Sequence, residues 1–151
     1  MQQSDVETKP AVFCSLPIPP SHNHQYTLFR RGDKTYHVPS QELKDYQKQM
    51  ELYPFGQGAD FLVQKNFVQH WVNEGYLLEV KALFCFKRKR IFTLKNEPKK
   101  MDVSNRIKAL HDCLGKILGI DDCLFFRIHA EKALCDENLN EMVIVEIAPI
   151  V

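Results

Sequence analysis

Residues 99–122 read KKMDVSNRIKALHDCLGKILGIDD, and the arrangement of the chain turns on this stretch. Ile107, Leu110, Leu114 and Ile117 recur at the 3.6-residue period of a helix with one apolar face. Asn105, Lys108, Asp112 and Lys116 fall on the opposite face. The spacing predicts a helix from about Ser104 to Leu118, stopped by Gly119. Asp102 stands just before that helix and Asp121–Asp122 just after it. Carboxylates at both ends of one helix meet only if the chain folds back. A strand that starts at Asp122 and runs beside the strand preceding Asp102 is expected to achieve that.

Working outward, Leu124–Lys132 alternates, with Phe126, Ile128 and Ala130 against Arg127, His129 and Glu131. After the turn CDENLN, Glu141–Ala148 reads as a last strand, and these two are expected to pair as an antiparallel hairpin. On the other side, Tyr76–Phe86 reads as a strand with Val80, Ala82, Phe84 and Phe86 facing one way. Upstream of it a helix is expected over Ala59–Asn73, with Val63, Phe67 and Trp71 at i, i+4 spacing and Phe67 and Trp71 in the core. Ser40 is placed to N-cap another helix running through Met50, before PFGQG breaks the pattern. Ala11–Leu16 reads as a short strand stopped by PIPPS, and residues 21–38 as a long irregular loop. Residues 1–10 are expected to be flexible, and 11–151 to form one domain. The fold class that follows is α+β: a single domain, a mixed sheet of about four strands, helices packed on it.

Five cysteines without a CxxC pair read as reduced thiols, and no apolar run approaches the ~20 residues of a membrane span. These features point to a cytoplasmic protein with no membrane partner; no small-molecule cofactor is expected. The net charge of +1 is unevenly spread. Lys87–Lys100 carries seven Lys or Arg residues and one acid, Glu97, so this segment is +6 and the rest of the chain −5. Such a stretch, with Lys87, Arg88, Lys89, Arg90, Lys99 and Lys100, is suited to a polyanion, or is a solvated loop. Arg30, Arg31 and Lys34 are further candidates for contact with such a polyanion, DNA among them, or are plainly solvated.

Hard divalent cations take oxygen ligands, and Mg²⁺ typically uses one or two carboxylates with waters and phosphates. Asp102 and Asp122 are the right types for metal ligands, and Lys108 for holding a phosphate. Other readings stand beside this one. Asp102 or Ser104 can cap the helix, Asp121–Asp122 can be a turn, and Asp112 can make ordinary i, i+4 pairs with Lys108 and Lys116. His22 and His24 flank Asn23 and read as exposed or as phosphate or metal contacts. His111 reads as a bystander, and His129, Glu131 and Lys132 as the solvated face of a strand.

At these residues the sequence resembles the RusA family of Holliday-junction resolvases. The family stretch D-x-D-N-x-x-K-x-x-x-D followed by D-D appears here as DVSNRIKALHD from Asp102 to Asp112, then Asp121–Asp122. LPIPPSHN, Leu16 to Asn23, is similar to the family's P-x-P-P-S-x-N segment, and the order of elements over 11–150 agrees. The resemblance implies a homodimer that binds a four-way DNA junction and makes paired symmetric nicks with Mg²⁺, Mn²⁺ being able to substitute. It implies a role in DNA recombination and repair and a bacterial or phage source. It assigns Asp102, Lys108 and Asp122 as catalytic, Asp121 as a neighbouring metal ligand, and Asn105 and Asp112 as the supporting helix face. Lys132 resembles a family lysine that follows the doublet. The sequence departs from the family at Ser104, which stands where a second aspartate is expected. A neutral hydroxyl is a weaker Mg²⁺ ligand, so a junction binder that cuts poorly is the alternative. A third possibility is a protein without a DNA role, whose basic stretch is only solvated.

Overall fold

The computed structural model describes residues 9–151. The segment expected to be flexible, 1–10, lies outside the described residues as far as position 8. In chain order the elements are β1 (Ala11–Leu16), a 3-10 turn (His22–His24), β2 (Tyr26–Arg31), β3 (Lys34–Pro39), α1 (Gln41–Gly56) and α2 (Ala59–Asn73). There follow β4 (Leu78–Phe86), the one-turn α3 (Arg88–Ile91), α4 (Ser104–Leu118), a second 3-10 turn (Asp122–Leu124), β5 (Phe125–Leu134) and β6 (Met142–Pro149).

Four strands make one mixed sheet in the order β1-β6-β4-β5, and the fold is the α+β arrangement expected. β4 lies between β6 and β5, and its helix-side row of Leu78, Val80, Ala82, Phe84 and Phe86 is buried, while Glu79 and Lys81 lie on the opposite, open face. The core lies between one sheet face and the helices, where Phe13, Phe84, Val143 and Ile147 meet Met50, Trp71, Leu110 and Leu114. Ser40 caps α1 as expected, its Oγ accepting from the Leu43 N–H at 3.1 Å. The helix runs on to Gly56, past Met50, with Pro54 in its last turn.

Three expectations are corrected. First, β5 and β6 do not form a hairpin, because β4 lies between them. β5 instead pairs parallel with β4, Leu78 opposite Phe125 through Phe86 opposite Leu134, while β6 pairs antiparallel with β4. A parallel pair needs a crossover, and α4 supplies it. Second, α2 buries Phe61, Val68 and Trp71, whereas Val63 and Phe67 are exposed. The i, i+4 row chosen from the sequence runs obliquely off the buried stripe, and of its members only Trp71 lies in the core. Third, most of residues 21–38 is not an irregular loop. Tyr26–Arg31 and Lys34–Pro39 form a two-stranded ribbon, Phe29 opposite Tyr36 and Arg31 opposite Lys34, turned at Gly32 with φ 61°. Both of its faces are exposed. Among the described residues no helix is long and apolar enough to cross a membrane.

Candidate active site

Helix α4 organises the site. Leu110, Leu114 and Leu118 are fully buried and seat it on the core, while Lys108, Asp112 and Lys116 face out. Its C-terminus closes on Gly119, whose φ of 66° is the left-handed cap that glycine takes without strain. Its N-terminus is anchored by side chains that no motif in the sequence singles out. Arg106 donates to the Pro19 carbonyl at 2.6 Å and lies over the Phe86 ring. The buried Gln25 donates to the carbonyls of Asn105 and Pro20 at 3.0 and 2.9 Å. The Gln25 carbonyl accepts from the Ser40 N–H at 2.8 Å, and the Ser40 hydroxyl donates to the His24 carbonyl. The proline-rich segment and the foot of the β2–β3 ribbon are thereby tied to the start of α4. His24 pairs with Glu42 at 3.4 Å; the side chain of His22 lies outside the described residues.

Asp102 is fully solvent-accessible at the head of α4. Its carboxylate accepts from the Ser104 hydroxyl and from the Ser104 N–H at 2.9 Å, and these bonds hold its pKa below the usual range. Ser104 itself does not cap the helix through its side chain, since the N-cap position is Val103. What the serine does is orient Asp102. Lys132 is the second neighbour. Its Nζ donates to the Met101 carbonyl at 2.9 Å, and its charge also favours ionised Asp102. Lys132 thus lies exposed on the strand and is bonded beside Asp102.

At the other end of α4, Asp112 and Asp122 are in contact. Burial raises the Asp112 pKa, and hydrogen bonding to Asp122 and that residue's charge push the same way, against Lys108 and Lys116. Asp121 and Asp122 line one open recess with Asp112, Gly115 and Lys116. Asp121 Oδ1 accepts from the Cys123 N–H at 2.9 Å, which closes the 3-10 turn, and bonding to Cys123 lowers its pKa. His111 is buried, its ring 5.1 Å from that of Phe125, and its Nε2 has no hydrogen-bond partner among the described residues. Burial lowers its pKa, opposed by Asp122, so it is a core side chain and not a bystander on the polar stripe.

The two groups of carboxylates do not meet within one chain. A Cβ at Gly115 would stand 3.5 Å from the Asp122 Cβ, which fixes Asp122 alongside that turn of α4. Gly115 is eleven residues beyond Ser104, roughly 16 Å along a helix axis at 1.5 Å per residue. Metal–oxygen distances of about 2.0–2.6 Å leave no room for one ion shared by Asp102 and Asp122 across that gap. The expected return strand does form, but it runs parallel to β4. It therefore begins beside the start of β4, whereas Asp102 follows the end of β4. Among the described residues no group of three or more His, Cys, Asp or Glu side chains comes together to hold a metal. The Asp112–Asp122 pair, with Asp121 at its rim, nonetheless has the donor chemistry of a hard divalent cation: two carboxylates pressed together, open to water and phosphate.

The basic segment lies at the Asp102 end. Lys87, Lys89, Arg90 and Lys99 line an open recess of about 700 Å³ with Met101, Asn140 and Glu141. Part of its charge is committed. Arg90 pairs with Glu141 at 2.9 Å, Glu141 accepts the Lys87 N–H at 3.0 Å, and Arg88 lies over the Phe92 ring. Lys99 Nζ donates to the Lys89 carbonyl at 2.6 Å, while Lys100 is exposed. Arg30, Arg31 and Lys34 are exposed at the tip of the ribbon, whose foot stands on the same end of α4.

A family model described as Endodeoxyribonuclease RusA matches residues 17–148, from the proline-rich segment to the end of β6. The chain belongs to the RusA endodeoxyribonuclease family. A search of curated proteins finds no match. Family membership makes this a RusA-like nuclease chain. In RusA terms, the block from Asp102 to Asp122 is the crossover between β4 and β5, with one carboxylate group at each end.

Proposed function

We propose that the chain is a metal-dependent endodeoxyribonuclease that binds four-way DNA junctions as a homodimer and nicks two symmetric strands, using Mg²⁺ with Mn²⁺ as a substitute. The observation that carries this reading is the basic recess of Lys87, Lys89, Arg90 and Lys99, which adjoins Asp102 through Met101. A phosphate backbone tracked along that recess arrives at a carboxylate. Asp122 and Asp121 hold the cation, and Asp112 joins them because it is already in contact with Asp122. The bound ion supplies an activated water and neutralises charge on the phosphate. Asp102 is catalytic and is kept ionised by Ser104. Lys108, exposed on α4 between the two carboxylate groups, attends the phosphate; Asn105 supports the same face. Arg30, Arg31 and Lys34 extend the DNA surface beyond the body of the domain.

One observation favours a second reading, a junction binder that does not cut. The Ser104 hydroxyl stands where an acidic ligand is expected and is spent on Asp102. The two readings separate in one set of assays. A gel shift in EDTA compares a four-way junction with linear duplex over a salt series, and a nicking assay follows with Mg²⁺ or Mn²⁺. The nuclease reading expects junction preference and nicks, with Asp102→Asn and Asp122→Asn stopping cleavage and sparing binding. Tight junction binding with no product in any metal, and cleavage appearing only in Ser104→Asp, transfers the case to the binder. Binding without junction preference that modest salt abolishes contradicts both.

A further inference from the structure

The β2–β3 ribbon buries neither face, yet much of what it exposes is apolar. Leu28 is 69% exposed, Phe29 53% and Tyr36 46%. Exposed apolar side chains grouped on one element mark a contact surface, whereas a single scattered one does not. The register gives the group its geometry. Phe29 stands opposite Tyr36, Thr27 opposite Val38 and Arg31 opposite Lys34. Opposed residues share a face and side chains alternate along each strand, so these six make one face. Its centre is the aromatic pair. Its outer end carries the two cations, about 7 Å further toward the tip. The foot of the ribbon is fixed, because Gln25 donates to the Pro20 and Asn105 carbonyls and its own carbonyl accepts from the Ser40 N–H. Three residues separate Tyr26 from Phe29, roughly 10 Å of strand, so the aromatic pair stands that far out from the anchored foot.

We propose that this face is a stacking platform for the unstacked nucleobases at a DNA branch point, with bases lying on Phe29 and Tyr36 while Arg31 and Lys34 hold the adjoining phosphates. The inference rests on the nuclease reading above and deepens it, by assigning an element that tells a branch point from continuous duplex. The chemistry selects this occupant. Every base has a π face, so stacking on aromatic rings tolerates any sequence, and cations beside the rings follow the backbone. Inside a duplex both faces of each base are already covered by its neighbours. Where strands pass from one helix to another the stack is interrupted, and a face becomes free. A ribbon that reads continuous duplex lies in the major groove and works through donors and acceptors aimed at base edges. Here the middle of the face is aromatic instead. A second copy of the chain suits the face less, because the ribbon carries Arg30, Arg31 and Lys34 against Asp33 and a copy brings the same excess of positive charge.

Binding measured in EDTA tests the platform without cleavage. The double variant Phe29→Ala/Tyr36→Ala is compared with wild type by gel shift on a four-way junction and on linear duplex, over a salt series. Loss of one stacked base corresponds to about 5- to 150-fold in affinity. Junction affinity is expected to fall by about that factor, with duplex affinity and the salt slope unchanged, since no cation is removed. Phe29→Leu/Tyr36→Leu, which keeps apolar bulk and loses the π faces, is expected to lose the same preference. Far-UV circular dichroism and sedimentation are expected to match wild type, both side chains being exposed. Phe29→Trp supplies a direct probe, because the one native tryptophan, Trp71, is buried in the core. Its indole emission is expected to be quenched by the junction and unchanged by linear duplex bound to the same extent.

Equal losses on junction and duplex, or equal quenching by both, would assign the ribbon to a groove and overturn the platform. So would a double variant that sediments as a smaller species than wild type, which would make the face a protein contact. If wild type prefers junctions and the double variant keeps that preference, the platform alone is overturned and the nuclease reading stands. If wild type shows no junction preference, that reading falls and the platform falls with it.

Discussion

Asp112 lies against Asp122 near the C-terminal end of α4. The folded-state pKa of Asp112 lies above its ordinary value, first through burial and then through Asp122. A raised carboxylate contributes stability in acid and loses it as pH rises through the folded pKa, so near neutrality ionised Asp112 opposes folding. Asp112→Asn is therefore expected to raise Tm in EDTA at pH 7 by about 1–2 °C, small because the group is solvent-screened. That gain should close as the pH falls to about 4, near the ordinary Asp range. The same substitution should shrink the Tm increase that Mg²⁺ or Mn²⁺ gives wild type, because it removes one ligand. Thermal melts in EDTA and in metal check both signs. Ser104 acts on Asp102 in the opposite sense, keeping it ionised to lower pH. Ser104→Ala should shift the acid limb of the nicking profile upward in pH, and a profile identical to wild type would show that the hydroxyl bond is without consequence.

Helix α4 was legible because its period is strong and its buried row is continuous, from Leu110 through Leu114 to Leu118. Leu110→Ala should cost about 2–5 kcal/mol, read as a drop in the denaturation midpoint at unchanged m-value. Gly119→Ala should also destabilise, since its φ is 66° and a Cβ there would stand 3.1 Å from Gln69 Nε2, which itself bonds the Leu118 carbonyl. The sheet was less legible. Local alternation identified β5 and β6 as strands but could not reveal that β4 separates them, because strand order is a long-range property that alternation within one strand does not carry. The ribbon of Tyr26–Pro39 was hidden because neither face is buried, which removes the two-residue hydrophobic period that marks a strand. The site residues were readable as a motif, but their separation was not. Asp102 and Asp122 lie 20 positions apart in a block that looks compact. Only the parallel direction of β5 shows that they occupy opposite ends of a crossover. Gln25 and Arg106 bond backbone carbonyls, contacts for which sequence spacing carries no signal.

At the scale of the whole molecule, charge and shape converge on one end of α4. The recess around Lys87, Lys89 and Lys99, the head of the helix with Asp102, and the foot of the ribbon bearing Arg30, Arg31 and Lys34 are all gathered there. If the ribbon tip grips phosphates, replacing Arg30, Arg31 and Lys34 together by alanine should reduce the slope of log K against log salt by up to about 2.7 per protomer. Folding should be unchanged, since the three side chains are exposed. Arg90→Ala should behave differently, costing stability because it releases Glu141, while Lys89→Ala should act on binding. Equal slopes for the ribbon variant and wild type would remove the ribbon from the interface. The most direct measurement of the central claim uses a four-way junction labelled in turn on each of its four strands and incubated with wild type and Mg²⁺. Nicks at symmetry-related positions on two opposed strands, absent in EDTA and in Asp102→Asn and Asp122→Asn, are the predicted result. Intact strands in Mg²⁺ and Mn²⁺, or nicks that persist in both aspartate variants, would contradict it.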